Sequence, residues 1–430
     1  MNKNFLSFRI LIFVFVQFSI FVDKSHSCEN ELNSVHVLID PFSEGALILD
    51  EMLKRDLPFV VLLSDPDKLF YHENVRLIKR EEISKFKLLS VIPGTESAVD
   101  FANQLSQNAN ITNTEAGIRE LRSKLMQQIV LASADLKHTK QKVSLRFGDA
   151  IPFLSSMFEK EKKVVVKPLS SAGSDHVYIV SSMEEAFTAF KIVAKSKTIF
   201  GELNYKVLFE EYHEGPQFMA DVLTTNGVHK LAYAWQYHYD GYKEFPFALD
   251  RVDLLSLSNP LLDQVIPYAK AVVDAFKVKN GAAHIEIRLT SEGPVLIEAG
   301  VRIGGGMSTI SAAATDVNIV SDYVDIFTDS KKSSRDYTQT KQARVIVVQN
   351  RIAGAQMSET AFSKLRGLKS FLEMKWNYKA GEAMILTTNL LEMQGRIHLV
   401  HADQTQIEKD SKQIREWEKQ GLFRLSVSAE

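Results

Sequence analysis

The sequence predicts a multidomain chain of mixed class, a parallel α/β domain followed by a longer α+β region. Three observations carry this. Short apolar runs alternate with a helical pattern over residues 34–113, "SVHVLID", "LPFVVLLS" and "KLLSVIPG" being separated by "PFSEGALILDEMLKR" and irregular segments. Turn residues then sit between paired apolar runs, Asn-Gly at 226–227 and Ser291–Pro294. Finally, three strand-like runs after residue 335 are followed by a polar helical period. Buried parallel strands read as continuous apolar runs, whereas a two-residue Asn-Gly turn marks an antiparallel hairpin.

Taken in order, 34–40, 57–64 and 87–94 are expected as strands, with a helical pattern in "PFSEGALILDEMLKR" (41–55). Residues 115–134 carry Ile118, Leu121, Leu125 and Ile129 at helical spacing. Two strands flank the small-residue loop in "KVVVKPLSSAGSDHVYIV" (163–180), and further strands are expected in 206–237. Residues 260–278 read as a helix and 281–306 as a hairpin ending in glycines. "ARVIVVQNR", "GEAMILTTN" and "GRIHLVHAD" read as strands, and "TQIEKDSKQIREWEKQ" as a closing helix. The expected domains are 34–113, 114–330 and 331–430, with a separate leader over 1–27.

Composition bounds the function. The chain has 430 residues, 45% apolar and 24% charged, ordinary values for a globular protein. Its formal net charge of -2 offers no basic footprint for nucleic acid. The single cysteine, Cys28, excludes an internal disulfide and a cysteine-rich metal site. At the N-terminus, Lys3 and Arg9 precede Ile10–Val22, a run of signal-peptide length that is too short to span a bilayer. Ser25 and Ser27 offer small residues for cleavage.

Two stretches carry chemistry. In "HIEIRLTSEGPVLIEAGVR", Glu286 and Glu298 are equidistant from residue 292, so a hairpin sets the two carboxylates side by side. Like charges in that position need compensation, and Mg²⁺ takes one or two carboxylates together with substrate phosphates. The bland alternative is a pair of solvated surface glutamates, against which both sit inside apolar runs. Lys167, at the end of "KVVVK", precedes Ser170–Ser174, whose hydroxyls and successive N–H groups can form an anion-binding nest. The bland alternatives are a solvated strand-end lysine and an ordinary turn. The stretch is not the GxxxxGK[ST] pattern of a Walker loop.

With these motifs in order, the chain resembles an ATP-grasp ligase over nearly its whole length after residue 33. "LRSKLMQQIVLASADLKH" resembles the helix whose lysine, here Lys124, reaches nucleotide phosphate. "VVVKPLSSAGSDHV" resembles the second lysine and the mobile glycine-rich loop, which implicates Lys167, Ser171, Ala172, Gly173 and Ser174. "VLFEEYHEGPQF" resembles the hinge strand, where Glu210 and Tyr212 would flank adenine and Glu214 would reach ribose. "HIEIRLTSEGPVLIEAGVRIGGG" resembles the metal hairpin, with Glu286 and Glu298 on Mg²⁺ (or Mn²⁺) and Arg302 on the transferring phosphate. "KPLSSAGSD" and "EAGVRIGGG" are most similar to the L-amino acid ligases that make dipeptides. The resemblance implies an N-terminal parallel α/β domain, a two-subdomain nucleotide clamp and a C-terminal α+β lobe.

Three positions depart from the pattern. Gly300 stands where an asparagine metal ligand is common, Gln217 where a glutamate is frequent, and His176 where a loop glycine is common. The activity implied is two-step: an acyl phosphate and ADP form from a carboxylate and ATP, then an amine displaces phosphate. Lys167, Glu298 and Arg302 are the catalytic candidates. Gly304 and Gly305 would let backbone approach substrate closely. The aromatic stretch "WQYHYDGYKEFPFALD" places Tyr237, His238 and Tyr242 as candidates for the amino-acid pocket, or as a packed surface loop. The alternatives are a ligase for a non-amino-acid partner and a nucleotide-binding module without catalysis. Expected partners are small amino-acid substrates and no nucleic acid, with a homodimer and a membrane tether through the leader left open. Because the reaction consumes ATP, a cytoplasmic core beginning near Ser34 is expected, the alternative being export or anchoring through 1–27.

Overall fold

In the computed structural model the described residues are 34–111, 122–171, 173–199, 201–239, 248–328, 335–352, 355–358, 360–379, 381–421 and 424–425. The leader, Cys28, Ile118, Leu121, Ala172 and Tyr242 lie outside them. Among the described residues no helix is long and apolar enough to cross a membrane.

The first sheet is parallel, in the order β3-β2-β1-β4, formed by β1 (Ser34–Ile39), β2 (Phe59–Leu62), β3 (Leu77–Ile78) and β4 (Lys87–Pro93). Both faces are covered, which is why these strands are mainly apolar, the buried His36 and Ser90 satisfying each other at 2.8 Å. Val35, Val37 and Ile39 pack toward α2 (Val99–Asn108) with Ala98 and Ala102. Leu38 points the other way and joins Ile48, Leu49 and Met52 of α1 (Glu44–Lys54) in the main core. Glu44 and Glu96 thereby sit just beyond the carboxyl ends of β1 and β4, the edge at which parallel α/β sheets bind ligands.

Residues 115–134 were expected as a helix, and their described part is α3 (Lys124–Ser133), capped by the Ser123 hydroxyl. Its buried face is polar. Gln127, Gln128 and Leu131 are buried, whereas Ile129 is exposed. The Gln127 amide donates to the Ala299 carbonyl at 2.6 Å and accepts from the Ala299 N–H at 3.0 Å. It closes a sheet edge as a further strand would.

A second, antiparallel sheet has the order β5-β8-β6-β7, from β5 (Gln141–Ser144), β6 (Val164–Pro168), β7 (Tyr178–Val180) and β8 (Val207–Glu211). Helices α4 (Ile151–Phe158) and α5 (Met183–Val193) cover it, burying Leu154, Met157, Val166 and Phe209. Phe190 stacks on Phe209 with centroids 6.2 Å apart. β6 and β7 pair directly, so the loop at 169–177 does join a hairpin.

The largest sheet is antiparallel, in the order β13-β12-β9-β10-β11-β14-β17-β16. It comprises β9 (Gln217–Thr225), β10 (Val228–Tyr239), β11 (Leu249–Leu254), β12 (Gly281–Thr290) and β13 (Gly293–Gly300), continued by β14 (Gln342–Val348), β16 (Phe371–Trp376) and β17 (Gly395–His401). A short pair is made by β15 (Gln356–Met357) and β18 (Arg424–Leu425). The Asn226-Gly227 turn has φ of 51° and 79°, the left-handed pair that a two-residue hairpin turn requires. Helices α6 (Leu262–Ala275), α7 (Ser308–Ala314) and α8 (Ile319–Thr328) line the core, and α9 (Thr360–Arg366) and α10 (Gln404–Lys419) belong to the C-terminal lobe.

One strand expectation fails. "GEAMILTTN" forms no strand: Ala383 makes an isolated bridge to Gln356, and Ile385 is exposed. The Asn350 amide instead holds the segment, donating to the carbonyls of Met384 at 3.2 Å and Ile385 at 3.0 Å. The third strand of the lobe is "FLEMKW", a half-exposed edge without clean alternation.

Candidate active site

The turn between β12 and β13 holds Ser291 and Glu292, and Thr290 pairs with Gly293 through to Ile287 with Leu296. Continued unbroken, that register would set Glu286 opposite Ile297. A β-bulge at Ile297 adds one residue, and Glu286 pairs with Glu298. Bulges re-aim side chains in this way. The two carboxylates are therefore neighbours, although the route to that pairing is a bulge and not a symmetric turn.

Each carboxylate has a counter-charge. Glu298 Oε2 lies 2.7 Å from Lys124 Nζ, which also donates to the Ser171 carbonyl at 2.7 Å. Glu286 accepts from Gln217 Nε2 at 2.9 Å and lies 3.5 Å from His284 Nε2. Lys167 Nζ lies 2.5 Å from Glu210 Oε2, both side chains buried. Burial alone would raise the Glu298 carboxyl, but Lys124, Lys167 and His284 outweigh it and hold it below its ordinary range. Burial likewise opposes the Lys124 ammonium, and Glu298 beside it leaves the group raised. For His284, burial is outweighed by Asp221 and Glu286, which push the imidazole up to about 10.

Lys124, Lys167, Glu210, Gln217, Glu286 and Glu298 face one cleft between the small sheet and the large one, and His284 borders the polar recess beside it. Val165, Leu249, Leu296 and Leu390 form apolar walls, and Tyr212, Tyr237 and Tyr239 add amphipathic ones. Glu210 lines the cleft, and its Oε1 is buried with no hydrogen-bond partner among the described residues. Over the cleft lies the loop after Lys167. Gly173, Ser174 and His176 have φ of 68°, 61° and 51°, and Asp175 accepts from the Ser171 hydroxyl at 2.7 Å. A Cβ at Gly173 would meet Leu391 Cδ2 at 2.5 Å, so the loop rests directly on the C-terminal lobe.

The departures acquire physical reasons. Gln217 donates to Glu286 while its carbonyl accepts from Tyr239 at 3.1 Å and Arg288 at 2.8 Å, both donor and acceptor being needed. A glutamate there would set a third carboxylate beside Glu286. At Gly300, a Cβ would lie 2.7 Å from Glu96 Oε2. Glu96, from the parallel sheet's carboxyl edge, takes the room a side chain at 300 would need and accepts from Arg302 Nε at 2.7 Å. His176 Nδ1 lies 2.6 Å from Asp175 and so helps to shape the loop.

Of the sequence-derived candidates, Lys124, Lys167, Ser171, Gly173, Ser174, Glu210, Tyr212, Glu286 and Glu298 line the cleft. Arg302 lines an adjoining polar recess with Glu96, Arg122, Lys124 and Glu298. Glu214 is not among the lining residues: its side chain is exposed and lies 3.7 Å from Lys163. His238 also stays out. Strand alternation sends Tyr237 and Tyr239 into the cleft and His238 toward Asp253, 3.2 Å away. Gly304 is tight, since a Cβ would come within 2.3 Å of His284 Nδ1, whereas Gly305 opens onto free space.

Sequence reasoning missed a buried network beneath the hairpin. Asp221 lies 2.7 Å from His284 Nδ1 and accepts from the Tyr233 hydroxyl at 2.8 Å and the Gly304 N–H at 2.6 Å. It holds the glycine turn after Arg302 against the sheet. Partners 63 and 83 positions apart leave no local signal.

Comparison with known proteins agrees with this geometry. Residues 160–310 match the family described as ATP-grasp domain. Dapdiamide A synthase of Enterobacter agglomerans is 25% identical over 353 residues, covering 78% of this chain and 81% of that protein. The crystal structure of an L-amino acid ligase from Bacillus licheniformis superposes with a TM-score of 0.69 at 15% identity, covering 89% of this chain and 97% of the other. Carboxyaminoimidazole ribonucleotide synthase of Aspergillus clavatus, in complex with ATP, gives 0.68 at 12% identity over 90% and 99%. The chain carries an ATP-grasp domain and the ATP-grasp fold, and ATP-grasp enzymes use ATP and Mg²⁺.

Proposed function

We propose that the protein is an ATP-dependent carboxylate–amine ligase that joins two L-amino acids through an acyl phosphate, releasing ADP and phosphate. One observation carries the reading: two lysines and a bulge-aligned pair of glutamates face a single cleft roofed by a loop of left-handed residues. Similarity to a dapdiamide A synthase and to L-amino acid ligases supports the choice of substrate class.

Lys124 and Lys167 hold phosphate oxygens, exchanging their present carboxylate partners for the nucleotide. Glu210 and Tyr212 flank the base, with the orphan Glu210 oxygen as acceptor. Glu286 and Glu298 would hold Mg²⁺, which neutralises charge on the phosphate oxygens. The donor set fits: two neighbouring carboxylates suit Mg²⁺, which fills its remaining positions with phosphate and water.

The acid's carboxylate oxygen attacks the γ-phosphorus while the bond to the β–γ bridging oxygen breaks, giving acyl phosphate and ADP. The amine then attacks the carbonyl carbon, loses a proton and expels phosphate. Arg302, whose planar fork suits two oxygens, steadies the phosphoryl group in both steps. The loop over Lys167 excludes water from the acyl phosphate. Screening pairs of L-amino acids for phosphate release, with mass detection of the amide, tests the reading. ADP appearing only with a productive pair supports it. ATP turnover indifferent to added amino acids contradicts it.

A further inference from the structure

Arg396 is the second residue of β17, in the C-terminal lobe, and pairs with Val347 and Lys375. Its guanidinium does not stay with the lobe. It reaches the glycine turn four residues past Arg302, where a Cβ at Gly306 would meet Nη1 at 2.2 Å. Yet the Arg396 guanidinium makes no hydrogen bond or ion pair to any described residue, in contrast to Arg344 and Arg415, which make several. Burial pushes the guanidinium down, against the pull of the Glu44 and Glu373 carboxylates. Glu44 is itself committed, accepting from the Gly306 N–H at 2.6 Å and the Ser43 hydroxyl at 2.9 Å. The guanidinium is half-buried with no protein acceptor, so its N–H donors are free to take an anion while shedding little water.

Three parts of the chain meet at this point: Glu44 from the start of α1, Gly304–Gly306 from the turn after the β12–β13 hairpin, and Arg396 from β17. Gly305 opens onto free space between the two tight glycines. Tyr237, on β10, lines the cleft that holds Glu286 and Glu298. The anion expected here is singly charged, because Glu44 lies close and would repel a phosphate more than a carboxylate. In an amide-forming reaction between two amino acids, the acid partner's carboxylate is consumed at the phosphate. Only the amine partner carries a carboxylate through unreacted.

We propose that Arg396 anchors the α-carboxylate of the amine substrate, selecting free amino acids over uncharged amines; this rests on the ligase reading above. Arg396 touches substrate but no reacting atom, so it governs KM for one substrate.

The test compares an amino acid with its primary amide as the amine, in the full-length wild type and in Arg396→Gln and Arg396→Lys. Wild type shows a KM for the amide about tenfold or more above that for the free acid, the scale of a charge-assisted hydrogen bond. Arg396→Gln raises KM for the free acid by a similar factor, leaves KM for the amide and for ATP within about twofold, and Arg396→Lys recovers part of the loss. Unchanged inhibition by added inorganic phosphate in Arg396→Gln assigns the site to the carboxylate, whereas weakened phosphate inhibition with an unchanged acid KM overturns it. Equal use of acid and amide by wild type, which needs no variant to fold, also overturns it. ADP release with no acid–amine pair at all would instead defeat the ligase reading.

Discussion

Two clusters of buried charge sit on this molecule and behave differently. Behind β11 and β14, Arg344 holds Asp253 through Nε at 2.5 Å and Nη2 at 3.1 Å, Glu408 through Nη1 at 2.9 Å and Nη2 at 2.8 Å, and Ser411 at 3.2 Å. Every donor of that fork is used. In the cleft, Lys124 and Lys167 each meet one carboxylate, while Glu210 Oε1 remains without a partner and the groups border open space. The chemistry is the same, but one network is closed and the other unsaturated. A closed network orients elements of the fold, whereas an unsaturated one beside a void is poised to exchange partners for a ligand.

Removing charge from the unsaturated cluster should separate activity from stability most sharply. Glu298→Gln keeps the shape and a hydrogen-bond acceptor for Lys124, so the fold survives. ADP release should fall by about 10²–10³-fold, the scale of one lost electrostatic contact at a transferring group. Rates and melting curves on the same samples check this. Alanine is a poorer probe, since it would strand the Lys124 ammonium.

The closed cluster should give the reverse. Arg344→Met leaves Asp253 with His238 and Arg251 alone and frees the half-exposed Glu408, and should cost about 1–2 kcal/mol of unfolding free energy, while turnover per folded molecule stays near wild type. Denaturant titration with active-site counting separates the two quantities.

Acid should act on the same cluster. Burial would raise the Asp253 carboxyl, but His238 and Arg344 outweigh it and hold it at about 2 against an ordinary 3.8. A lowered folded pKa means the contribution is complete above the unfolded value and is lost as pH falls from about 4 through about 2. It amounts to about 2 kcal/mol. Stability measured against pH should therefore fall less steeply in Asp253→Asn than in wild type over that window, from a lower starting value.

The smallest effect is expected at the roof. Gly173→Ala adds a side chain at φ 68° against Leu391. It should cost about 1 kcal/mol and raise KM for ATP a few-fold with little change in kcat, as steady-state kinetics would show.

The fold's pattern was legible wherever burial follows local period. The runs that became β1, β2 and β4 needed no partner to be read, and Asn226-Gly227 declared its own hairpin. Glu286 and Glu298 could be paired because twelve positions separate them within one hairpin, although the bulge that aligns them leaves no mark in the sequence. Residues meeting across the chain were silent. Glu96 reaches Arg302 from 206 positions away, and Arg396 reaches Gly306 from another lobe. "GEAMILTTN" was misread because a short apolar run looks alike in a strand and in a loop pinned by Asn350. Glu214 and His238 were sound in kind but fell on sides turned away from the cleft.

The central claim is that the unsaturated cluster activates a carboxylate by phosphorylating it. Supplying the acid substrate with ¹⁸O in its carboxylate, together with ATP, Mg²⁺ and the amine, and weighing the released phosphate tests this most directly. An acyl phosphate requires one ¹⁸O to appear in each phosphate formed. Phosphate that carries no label, released alongside the amide, would contradict the account.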